Sequence, residues 1–103
     1  MNWDTKNNQL LLKTVLSLKN EDEARRFLRD LMTETEIDEF ARRLSAANML
    51  YSGIAYTIVT KETGLSSTTI ARVAKYLNGS EGGYKLALDR LHHIQPNQRS
   101  GLS

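Results

Sequence analysis

The sequence predicts an all-α fold of about six helices, and three features carry that prediction. Apolar residues recur every three or four positions through most of the chain, and residue types that cap helices stand between these stretches. The one proline, Pro96, lies near the end, so no ring interrupts a helix before it. No alternating run is long enough for a sheet, and there is no internal repeat or low-complexity tract.

In the first segment Leu11, Val15 and Leu18 share one helical face. Asn20, with Glu23 three residues on and Phe27, Leu28 and Leu31 beyond, predicts an N-cap and a second helix. Thr33-Glu34-Thr35-Glu36 reads as a capping box, in which the Thr33 hydroxyl and the Glu36 carboxylate satisfy each other's free backbone amides. The third helix should begin there and run four turns on a face of Ile37, Phe40, Ala41, Leu44, Ala47 and Tyr51, until Ser52-Gly53 stops it. Two shorter helices, Tyr56 to Thr63 and Ser67 to Asn78, should follow around Gly64-Leu65-Ser66. Ser80 is expected to open a last helix with Tyr84, Ala87, Leu88 and Leu91 inward, although Gly82 and Gly83 weaken its start.

A chain of 103 residues fits one core, and the expected division is a single helical domain over 1–94 followed by a disordered tail over 95–103. So small a domain gains by burying surface against a second copy. Cysteine is absent, which removes disulfides, thiolate chemistry and every Cys-based zinc site. The longest aliphatic run, Leu10 to Leu12, is far too short for a membrane span, and Met1-Asn2-Trp3-Asp4 lacks the pattern of a signal peptide. A cytoplasmic location is expected. The net charge of +2 is uninformative, but its distribution is not: residues 21–39 hold eight acids against three arginines, a net of −5, leaving +7 for the rest.

The segment Tyr56 to Leu77 carries the functional reading. Gly64 can take the left-handed conformation that ends one helix, Leu65 can plug the gap, and Ser66 can cap the next. Ile58 and Val59, with Ile70, Val73 and Leu77, supply contacts that hold the two helices at a steep angle, which is a helix-turn-helix. The outer face of the second helix is left with Ser67, Thr68, Thr69, Ala71, Arg72 and Lys75, and no acid stands between Ser66 and Tyr76. Hydroxyls can reach base edges or phosphates, the methyls of Ala71 and Thr can touch thymine methyls, and Arg72 or Lys75 can neutralise phosphate. The helix start also presents free amides at Ser67 and Thr68 that favour a phosphate. Together with Lys61 and Ser66 these residues are the candidate contacts to double-stranded DNA. The plainer alternative is a packing corner common to helical bundles, with Ser67, Thr68 and Thr69 as capping or solvated hydroxyls.

At this segment the sequence resembles the tryptophan-repressor-like family, and within it the YerC/YecD branch. The resemblance rests on Leu31-Met32-Thr33 entering a capped helix, on Arg43, Leu44, Gly53 and Gly64, and on Thr68-Thr69-Ile70-Ala71-Arg72. It covers Leu28 to Leu91, with one residue fewer between Gly53 and Gly64 than the family has. It implies two chains interlaced through their N-terminal helices, presenting two reading heads to successive major grooves about 34 Å apart on a palindromic operator. It implies further that Arg43, Arg72 and Thr69 stand where the tryptophan repressor holds its amino acid. Val73 replaces a glycine of the indole pocket and Tyr76 a serine beside it, so tryptophan is not expected as effector, and the pocket is plugged or reshaped. On the residues alone, Arg43 has another reading, an ion pair with Glu39 four positions back.

The expectation is thus a homodimeric, sequence-specific DNA-binding transcriptional regulator, a repressor and not an enzyme. The alternatives are a protein-interaction adaptor, or an amino-acid sensor with its pocket at Arg43 and Arg72. No cofactor or metal is expected. His92-His93 point about 100° apart on a helix, lack a third ligand and read as a fraying helix end with basic residues at its C-terminus. Glu34, Glu36, Asp38 and Glu39 crowd a helix start, where acids complement the macrodipole. Trp3 could anchor an arm to a partner or pack on its own chain.

Overall fold

The computed structural model describes residues 1–93; the expected tail, 95–103, lies outside the described residues. Six α-helices follow one another: α1 (Lys6–Ser17), α2 (Glu21–Leu31), α3 (Glu34–Tyr51), α4 (Tyr56–Thr63), α5 (Ser67–Leu77) and α6 (Gly83–His93). The fold is all-α, and no strand occurs among the described residues. None of these helices is long and apolar enough to cross a membrane.

The chain divides into two compact units, one over Met1–Ile37 and one from Asp38 onward. In the first, every helix start is held by a side chain. Thr5 accepts from the Asn8 amide at 3.1 Å, and Asn20 from the Glu23 amide at 2.9 Å. The predicted capping box at the start of α3 forms: the Glu36 amide donates to the Thr33 hydroxyl at 3.1 Å and the Thr33 amide to the Glu36 carboxylate at 2.9 Å. Leu18, expected on the face of α1, is the capping residue after its last turn. Neither α1 nor α2 has a buried residue.

The second unit holds the core. Ala46 and Ala47 of α3, Val59 of α4, Ile70, Val73 and Leu77 of α5 and Leu88 of α6 are each at most 5 % exposed. Met49, Leu50, Tyr51, Leu65 and Tyr84 close around them. The α3 stripe expected from the sequence is only partly internal: Ala47 is buried, but Phe40 and Leu44 remain exposed, and the small Ala46 takes the inner position beside Ala47. Ala87 and Leu91, expected inward on α6, are exposed, and so is Ile58 on α4. Eight residues in α4 allow little more than one inward column, which Val59 and Thr63 occupy.

Candidate nucleic-acid interface

The corner between α4 and α5 is built from three residues. Gly64 ends α4 at φ 71°, the left-handed region in which a side chain is strained, and its amide closes on Thr60 at 2.9 Å. Thr63 fastens the corner from inside: it is buried, its hydroxyl donates to the Val59 carbonyl at 2.7 Å and accepts from the Leu65 amide at 3.3 Å. Ser66 caps α5, accepting from the Thr69 amide at 3.1 Å and donating to the Thr69 hydroxyl at 3.0 Å.

Burial fixes the rotation of α5. Ile70, Val73 and Leu77 face the core, so the opposite side turns outward, and there Thr68, Ala71, Arg72 and Lys75 stand at i, i+3, i+4 and i+7, all exposed. Ser67 is exposed beside them, and Thr69 is half-buried at the flank next to Arg72. Neither Arg72 nor Lys75 makes an ion pair with another described residue, although five such pairs occur in α2 and α3. Cations left unpaired on an acid-free face are available to an external anion. Lys61 is set differently. It borders a cavity of about 450 Å³ at the corner, together with Asp38, Arg42, Glu62 and Gly64, so acids stand around it.

The residues expected around an effector are not gathered in the same way. Val73 is 3 % exposed and belongs to the core. Arg43 pairs with Glu39 at 2.5 Å, the alternative read from their spacing, and its guanidinium lies 5.4 Å from the centre of the Phe40 ring. The Arg43 Nε is buried without a hydrogen-bond partner. A cavity of about 580 Å³ beside α5, lined by Lys75, Gly79, Glu81, Gly83 and Tyr84 among others, takes in Tyr76 alone of the five.

A cluster that sequence reasoning missed joins α3 to α6. The Tyr51 hydroxyl donates to the Asp89 carboxylate, His92 hydrogen-bonds Asn48 at 2.8 Å, and the Tyr51 and His92 rings lie 5.1 Å apart. The Asp89 hydrogen bond, with smaller contributions from desolvation and from the carboxylate charge, raises the Tyr51 pKa above its ordinary value. His92 is therefore an anchor and not the fraying end expected. Partners 38 and 44 residues apart leave no periodic signal in a sequence. No group of three metal-ligating side chains occurs among the described residues.

Comparison with known proteins agrees with this arrangement. The Trp repressor protein family matches residues 6–92. The uncharacterized protein YerC of Bacillus subtilis (strain 168) is 41% identical over 90 residues, covering 87% of this chain and 86% of its own. Among solved structures, a TrpR-like protein from Eubacterium eligens superposes with a TM-score of 0.82 at 34% identity, over 90% of this chain and 96% of that one. A candidate Trp repressor from Staphylococcus aureus gives 0.81 at 32% identity, over 89% and 95%. The chain belongs to the Trp repressor family, on the branch that includes YerC.

Proposed function

We propose that this protein is a transcriptional regulator, non-catalytic and acting as a repressor, which binds double-stranded DNA as a homodimer with α5 laid in the major groove. The observation that carries the reading is the outward stripe of α5: four exposed residues with no acid among them, two of them unpaired cations, aimed away from a core that fixes their orientation. Ser66, Ser67 and Thr69 border the stripe at the end of the helix that meets the bases, and Lys61 is a peripheral contact. Family membership supports the same reading.

The dimer is supported by what the first unit leaves open. Leu10, Val15 and Leu16 of α1 are 66 %, 51 % and 84 % exposed, a degree of apolar exposure that a second copy would remove. A homodimer carries two α5 helices, one for each half-site of a palindromic duplex. Tryptophan has no place in this scheme, because Val73 occupies the core where the family pocket has a glycine.

The deciding measurement is the affinity for duplex DNA as a function of salt. Binding that weakens linearly on a logarithmic salt scale, with a slope set by the number of phosphates contacted, is expected. Absence of binding at low salt, or binding indifferent to salt, overturns the reading.

A further inference from the structure

The outward stripe of α5 is polar or charged at Thr68, Arg72 and Lys75, but at Ala71 it presents a methyl group and nothing else. The core contacts of Ile70 and Val73, 0% and 3% exposed, flank Ala71 and hold it outward, so it cannot turn away from whatever α5 meets. In the major groove the 5-methyl of thymine is the one methyl group that a base edge projects, where cytosine has only a C5–H. A donor or acceptor pressed against Ala71 would lose its water and gain no partner, whereas a thymine methyl loses only unfavourable hydration.

Resting on the DNA-binding reading above, we infer that Ala71 is a specificity-determining residue that selects a thymine in each half-site by methyl-to-methyl contact. Thr68 and Arg72, one turn before it and one residue after it, bracket that contact with polar groups. The shortness of the side chain matters as well: a longer one would hold the helix off the groove floor.

The test uses the full-length protein and duplexes selected by it from a random-sequence pool. In the selected duplex each thymine is replaced in turn by uracil, which deletes the methyl and leaves all hydrogen-bonding groups in place. One thymine per half-site should respond, with affinity falling about fourfold, the effect of one buried methyl-sized group. In Ala71→Gly that position should become indifferent to uracil while other positions keep their wild-type response. Thr68→Ser, which deletes the other methyl of the stripe, should leave it sensitive. Uracil indifference at every thymine in the wild type, or sensitivity that persists in Ala71→Gly, overturns the inference while leaving DNA binding intact. Failure of the wild type to retain any duplex overturns both readings.

Discussion

Arg72 and Lys75 form no ion pair with another described residue, whereas every arginine of α2 and α3 is paired, and their value lies outside the protein. Exposed ion pairs such as Asp38 with Arg42, at 3.1 Å, contribute little to stability in any case. Replacing Arg72 or Lys75 with alanine should therefore leave the thermal midpoint within about a degree or two of wild type, while each substitution lowers duplex affinity and reduces the salt slope by about one. Titrations at several salt concentrations check both. Gly64 is the opposite case, a residue whose importance is internal. Its φ of 71° strains any side chain, and a β-carbon there would meet the Arg42 guanidinium at 3.4 Å, ordinary contact that adds little. Gly64→Ala should cost about 1 to 2 kcal/mol in chemical denaturation, from the backbone alone.

Between helices, two kinds of contact hold the second unit together. One is aliphatic packing of α5 against α4 and α6, worth about 1.5 to 3 kcal/mol for each fully buried valine, isoleucine or leucine. The polar cluster of Tyr51, Asp89, Asn48 and His92 adds orientation. Because folding raises the Tyr51 pKa above 10.0, the folded protein holds that proton more tightly than the unfolded chain does. The resulting stabilisation is complete below pH 10 and is lost as pH rises through the folded value. The stability difference between wild type and Tyr51→Phe should accordingly be constant at neutral pH and shrink under alkaline conditions, in denaturation curves recorded across that range. Val73 makes a further prediction. Tryptophan at a hundred times its dissociation constant would add about 2.7 kcal/mol to stability, but the wild-type protein should show no thermal shift with it.

For the molecule as a whole, the question is what covers the apolar residues that a single chain leaves exposed. Leu16 at 84 % exposure is the extreme case on α1. If a second copy covers it, sedimentation should report a dimer and the thermal midpoint should rise with protein concentration. Leu16→Asp should then shift the protein to monomer and weaken its hold on DNA, since one reading head makes half the phosphate contacts.

The helices, their order and the corner were legible in the sequence because they depend on neighbours in the chain. The capping box at Thr33, the glycine stop at Gly64 and the Ser66 cap are interactions over three or four residues, and periodicity reports which positions are apolar. That same periodicity could not say which apolar positions are covered within one chain, which is why Ile58, Leu44 and Leu91 were expected inside and lie outside. Nor could it foresee that Ala46 joins the expected Ala47 in the core while Phe40 stays outside, since that is decided by which elements meet in the folded chain. The composition of the α5 surface and the inward side of that helix, Ile70, Val73 and Leu77, were thus legible in the sequence itself, while the burial of Ala46, the exposure of Phe40 and the joining of Tyr51 to Asp89 were settled by tertiary packing. Local rules act between residues a turn apart, and burial is a property of elements that meet only after the chain has folded.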